Sequence, residues 1–155
     1  MVLLLASGMM RVVAVGLIAA SKVAMRSGRH FAQFTVVEGH PMFGVIRPGW
    51  DVEGGEEAED VDGHCFYNTY RGRRFPGGID WGMQGAKQGD RIGMLLDLDQ
   101  GSMTVWKNGE KMGVMVAEGL IGPLCWAVAL YKAGDSARID SAAGRQLAQF
   151  EKKLC

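Results

Sequence analysis

The sequence predicts an all-β sandwich with a short amphipathic helix at its C-terminus. Three observations carry that expectation. Apolar and polar residues alternate with a period of two through residues 89–113. Short strand-like runs recur about every eight to twelve residues between turn signals. Glycine accounts for 23 of the 155 residues, with only four prolines, about twice its usual share of ~7% and without the period of a fibrous chain.

Residues 89–113, GDRIGMLLDLDQGSMTVWKNGEKMG, read as three antiparallel strands. Asn108-Gly109 is the sharpest signal, because both residues accept the positive φ that a type I′ hairpin turn requires. With these two at the tip, Lys107 faces Glu110, Trp106 faces Lys111, Val105 faces Met112 and Met103 faces Val114. A second turn over residues 99–102 sets Leu98 beside Met103 and Leu96 beside Val105. Two apolar rows result, Leu96–Val105–Met112 and Leu98–Met103–Val114. Leu95, Asp97, Thr104, Trp106 and Lys111 fall on the other face.

Before the meander, residues 12–20 form an apolar run too short to span a bilayer. Length alone does not separate a strand buried on both sides from a helix. Residues 1–26 are basic and acid-free, which suits either an edge strand or a targeting peptide. Arg11 within the apolar stretch argues against a signal sequence, and the strand reading is preferred. Residues 30–37 alternate as a strand, with Ala32, Phe34 and Val36 on one face. Residues 42–46 make another strand. Residues 51–62 form a loop with seven carboxylates. Residues 64–70 read as an aromatic strand, 71–78 as loop and 79–83 as a brief strand. After the meander come an apolar strand at 124–131 and a last one at 137–139. The spacing of Ala143, Leu147, Phe150 and Leu154 predicts the terminal helix. The expected organisation is an N-terminal segment (1–26), one sandwich domain (27–140) and the helix (141–155).

Lys plus Arg and Asp plus Glu both total 17, so the chain is formally neutral and lacks the basic excess of a nucleic-acid binder. The three cysteines have no paired spacing, so no disulfide framework is expected and a reducing compartment is the simpler reading. His30, His40, His64 and Cys65 fit no zinc-ligand spacing, and a turn histidine and a core cysteine explain the last two better. The acidic loop lacks the order of a calcium site and reads as solvated. Asp97 and Asp99 offer two carboxylates, but the pairing places Asp99 in a turn, where Asp bonds its own backbone. No nucleophile elbow or phosphate-binding loop is present. No metal and no cofactor are expected.

On these residues the chain resembles the SPRY domain family. The resemblance rests on Gly89-Asp90-Arg91-Ile92-Gly93, then Leu95-Leu96-Asp97-Leu98-Asp99, residues 101–104, Lys107-Asn108-Gly109, Gly122-Pro123 and residues 124–130. Upstream, residues 30–34 occupy the place of the family's early aromatic strand, and Phe43-Gly44-Val45 that of its x-G-V/W strand. Gln33 departs from the acidic residue usual in that early strand, and Trp126 stands inside the last core strand. The likeness covers about residues 28–140. It implies a bent sandwich of two antiparallel sheets, of the SPRY or concanavalin-like jelly-roll kind. It also implies a non-enzymatic module that binds a protein or peptide through loops at one end. A monomer is expected, with neither nucleic acid nor membrane as partner. Those loops would be residues 47–51, 70–76 and 78–82. The expected contact residues are Arg47, Trp50, Tyr70, Arg71, Arg73 and Trp81. A cytoplasmic location is expected, unless residues 1–26 direct the chain elsewhere. The alternative is a carbohydrate-binding or glycan-active jelly roll, since this architecture hosts both.

Overall fold

Alternation becomes strand wherever one set of side chains finds a core. The computed structural model describes residues 2–4, 10–13, 17–21, 23–50, 57–132, 134–140 and 150–152. In chain order the strands are β1 (Val2–Leu4), β2 (Met10–Val13), β3 (Leu17–Ser21), β4 (Arg29–Glu38), β5 (Met42–Ile46), β6 (Cys65–Asn68), β7 (Arg74–Phe75), β8 (Arg91–Asp97), β9 (Ser102–Lys107), β10 (Glu110–Val116), β11 (Cys125–Leu130), β12 (Ser136–Asp140) and β13 (Phe150–Lys152). A single 3₁₀ turn, Ala58–Asp60, is the helical element among the described residues. The strands pair antiparallel in two sheets, a seven-stranded one ordered β1-β2-β12-β4-β8-β9-β10 and a six-stranded one ordered β13-β3-β11-β5-β6-β7.

The core lies between the sheets. Ala32, Phe34 and Val36 of β4, with Ile92, Met94 and Leu96 of β8 and Met103 and Val105 of β9, meet Phe43, Val45, Tyr67, Trp126, Val128 and Leu130 from the other sheet. Phe34 stacks on Phe43 at 4.7 Å and meets Trp126 edge-on at 6.0 Å, arrangements that aromatic quadrupoles favour. The six-stranded sheet is also covered on its outer face. Ile18, Ala20, Met42, Ile46, Phe66, Ala127 and Ala129 are buried there, with Ala58, Trp50, Phe75 and Tyr131 packed on them. A strand buried on both faces reads as an unbroken apolar run, which explains residues 18–20 and 125–130 in one stroke.

The first two strands of the meander keep their predicted faces but not their register, and the third loses both past the hairpin tip. Asp97 pairs with Ser102, Leu96 with Met103 and Met94 with Val105. The turn therefore spans residues 98–101, one residue earlier than expected. Asp97 sets it: its Oδ1 accepts from Asp99 N at 3.0 Å and Gln100 N at 3.1 Å, and its carbonyl from Gly101 N at 2.7 Å. Asp99 instead accepts from Gly28 N at 3.1 Å. The hairpin tip forms as expected, with Asn108 at φ 52° and Gly109 at φ 83°, and with Lys107 opposite Glu110 and Trp106 opposite Lys111. Beyond it the ladder slips twice, between Lys111 and Gly113 and between Val114 and Val116. Each bulge inserts one residue and inverts the alternation. Val105 thus lies opposite Gly113, Met115 turns inward and Val114 outward, at 49% exposure.

Three further expectations differ. The pair Arg74–Phe75 is strand β7, where loop was expected, while residues 79–83 contribute only a bridge from Ile79 to Arg74. The C-terminal helix falls mostly outside the described residues, but Phe150–Lys152 within it is strand, paired with Ser21, Ala20 and Ala19. The free N–H and C=O groups of β3 reward pairing more than a few residues gain as an isolated helix. Cys65 is a buried free thiol, whereas the buried Cys125 is disulfide-bonded, a bond of which the cysteine spacing gave no sign.

Candidate interaction surface

The register of β5 and β6 decides which loops meet. Met42 pairs with Asn68 and Val45 with Cys65, so the loop after β6 leaves at the start of β5 and the loop after β5 leaves at the opposite end. At ~3.3 Å per residue, the strand holds the two ends roughly 16 Å apart. Tyr70 and Arg71 lie at one end, with Arg73 and Trp81 behind them. Arg47 and Trp50 lie at the other. The six expected contact residues therefore divide into two groups.

At the first end the backbone is tied at almost every step. Asn68 Oδ1 accepts from Tyr70 N at 2.8 Å and Arg71 N at 3.2 Å, its carbonyl takes Gly72 N at 2.8 Å, and its own N–H donates to Arg73 O at 2.9 Å. Buried Thr69 donates its hydroxyl to Pro41 O at 2.6 Å. The segment that follows β7 runs alongside. Ala86 N reaches Thr69 O at 2.7 Å, Tyr67 OH reaches Gln84 O at 2.6 Å, and Trp81 Nε1 donates to Gly72 O. Burial, with the Asp90 charge behind it, pushes the Tyr67 phenol well above its ordinary range, so it stays a donor. Arg73 is spent locally on Gly78 O at 3.0 Å.

What this frame presents is Tyr70, 59% exposed. The His40 ring stands edge-on to it at 4.8 Å, and the Arg71 guanidinium lies 5.3 Å from its ring centre. His40 was not among the expected contacts. Its pairing with Tyr70 spans thirty residues of chain and leaves no mark in local spacing. Behind the loop, Trp81 meets Tyr67 edge-on at 6.4 Å and packs on the core. A hollow of about 540 Å³ lies beside it, between residues 82–84 and the hairpin residues Lys107, Glu110 and Lys111.

At the second end Arg47 is exposed and Trp50 half-buried. Trp50 stands edge-on to His64 at 5.5 Å. His64 Nδ1 donates to Ala58 O at 2.9 Å, and burial, helped by the nearby Arg47 charge, holds its pKa below the ordinary value. A hollow of about 370 Å³ here is lined by Arg47, Pro48, Gly63, Ile121 and Pro123. The exposed Ile121 was not singled out by the sequence.

Among solved structures, the SPRY domain of human HERC1 matches this chain with a TM-score of 0.73 at 19% identity, covering 90% of this chain and 91% of that one. Another human SPRY domain matches with a TM-score of 0.65 at 16% identity, covering 92% and 96%.

The chain has the SPRY fold.

No family model and no curated protein matches the sequence. In this SPRY-fold chain the residues weighed for chemistry are engaged structurally. Asp97 is held by Arg29 Nε at 3.2 Å and by its turn amides. Asp99 caps Gly28 N. Burial raises the Cys65 thiol to about 12, which keeps it protonated and unreactive. Among the described residues no three His, Cys, Asp or Glu side chains converge on a metal position.

Proposed function

We propose that this SPRY-fold domain is a protein-interaction module that binds a short peptide or protein loop through the end carrying Tyr70 and Arg71. One observation carries the reading: a large, exposed aromatic ring and a guanidinium sit on a loop whose backbone is already fixed by hydrogen bonds. Ordering costs little when the presenting loop is rigid beforehand, and Tyr and Arg are the residues that concentrate interface energy. The domain works as a monomer and performs no catalysis; the structural engagement of Asp97 and Asp99 supports the last point.

The test is capture of partners by the wild-type chain and by the double variant Tyr70→Ala, Arg71→Ala, with Arg47→Ala as the counterpart at the far end. Loss of partners from the double variant alone, with its melting temperature unchanged, supports the assignment. Retention of every partner by that variant sinks it. Light scattering that reports a dimer removes the monomer.

A further inference from the structure

The outer face of the seven-stranded sheet carries side chains that packing does not use. Across four strands one row reads Arg11, Arg138, Thr35 and Arg91, each opposite the next in register. Strands lie about 4.8 Å apart, so Arg138 and Arg91 stand two strands apart along this row. Ala137 and Ile139 on either side of Arg138 are buried in the core, as is Ile92 beside Arg91, which puts both arginines on the outer face. Among the described residues, neither they nor Lys111 has an ion-pair partner; the pairs formed are Arg29–Asp97 and Lys107–Asp90. Arg138 Nε is buried without a hydrogen-bond partner. Asp97, a carboxylate of the same face, lies at its far end and is already committed. Asp140 stands in the adjoining row, opposite Gln33.

That adjoining row continues through Gln33, Gly93, Trp106 and Lys111. Gly93 leaves room for the Phe31 ring: an added Cβ would stand 2.9 Å from it. Phe31 and Trp106 meet edge-to-face at 6.1 Å over this floor, and Phe31 is 37% exposed. Unpaired cations thus border an aromatic platform on an open sheet.

We propose that this face binds an acidic peptide segment, with carboxylates on Arg138 and Arg91 and one apolar side chain against Phe31 and Trp106. The inference rests on the reading of the domain as a protein-interaction module and adds a second surface to it. Charge complementarity selects the occupant. Carboxylates satisfy the unpaired guanidiniums of Arg138 and Arg91. The formally neutral chain lacks the wider basic surface that a nucleic acid calls for.

The probe is a fluorescein-labelled peptide, Glu-Asp-Glu-Phe-Glu-Asp-Glu, titrated with the full chain and followed by anisotropy. Binding is expected to weaken with added salt, and by about tenfold in the variant Arg91→Glu, Arg138→Glu. Trp106→Ala weakens it several-fold, and the Gln/Asn version of the peptide does not bind. The variant Arg91→Gln, Arg138→Gln, checked for wild-type circular dichroism, repeats the loss if charge reversal disturbs the fold. Unchanged affinity in that second variant overturns the proposal. So does equal binding of the amide peptide, or its preference for a single-stranded oligonucleotide over the acidic probe. The variant Tyr70→Ala, Arg71→Ala is titrated in parallel. If it holds the acidic probe but loses captured partners, both surfaces stand. If the wild-type chain captures partners through Tyr70 but ignores the probe, only the sheet face fails.

Discussion

Gly72 and Gly82 share a left-handed backbone, with φ of 75° and 84°, yet their surroundings differ. A Cβ on Gly82 meets nothing within 4 Å, whereas one on Gly72 lies 2.4 Å from Gln84 O and 2.5 Å from Met83 O. Gly82→Ala therefore costs only the left-handed penalty, about 1 kcal/mol, whereas Gly72→Ala adds a backbone collision and costs more than ~2 kcal/mol. In urea unfolding the two variants separate clearly, and equal losses contradict the geometry. His64 supplies a pH prediction. Its folded pKa lies below the ordinary 6.5 because burial disfavours the charged ring. Above about pH 6.5 the ring is neutral in both states and costs nothing. Below that, the unfolded chain takes up a proton that the folded chain resists, and stability falls by up to ~1.4 kcal/mol per pH unit until the folded pKa is passed. His64→Gln removes this slope, so the wild type should lose more stability than the variant between pH 7 and 5.5. Parallel losses in both proteins assign the acid sensitivity elsewhere.

At the scale of elements, Trp50 and the segment from Glu57 to His64 cover part of the outer face of the six-stranded sheet. Ala58 and Trp50 pack on that face, His64 Nδ1 donates to Ala58 O at one side, and Tyr131 OH donates to the Glu59 carboxylate at the other. Burial, followed by the Glu59 bond, pushes the Tyr131 phenol far above its usual range, so this donor persists at any ordinary pH. Tyr131→Phe should cost about 1–2 kcal/mol, the worth of a hydrogen bond to a charged acceptor that is partly buried. Tyr70→Phe, whose ring stands in solvent, should cost nothing measurable in the same denaturation series. The sequence reading reached the elements unevenly for physical reasons. Period-two alternation places Met94, Leu96, Met103 and Val105 on the core face under any register displaced by two, so the faces were legible although the turn was off by one residue. The register itself depended on Asp97 closing the turn in place of Asp99, a choice that alternation does not encode. Bulges at Met112 and Met115 were marked only by Gly113, a residue that weakens a strand wherever it sits. The candidate site was legible as residue types, since Tyr70 and Arg71 do stand exposed together. Its division into two ends was not, because it follows from the pairing of β5 with β6.

For the whole molecule, the two sheets treat their outer faces oppositely, and that asymmetry separates scaffold from surface. The six-stranded sheet carries Ala20, Ala127 and Ala129 outward, all fully buried, small enough to let covering chain approach closely. The seven-stranded sheet carries Gln33, Thr35, Thr104 and Trp106 outward, all half-exposed. A charge on the first face must be buried without a partner, a penalty of several kcal/mol. On the second it stays in water and costs well under 1 kcal/mol. Ala127→Asp should therefore leave the chain unfolded, or unfolding at a much lower urea midpoint, while Thr104→Lys folds with its midpoint nearly unchanged. Comparable midpoints in the two variants would mean that the covering of the six-stranded sheet is loose. In that case Ala127 and its neighbours are themselves open to a partner, and the choice of the Tyr70 end and the arginine row as the binding surfaces loses its basis.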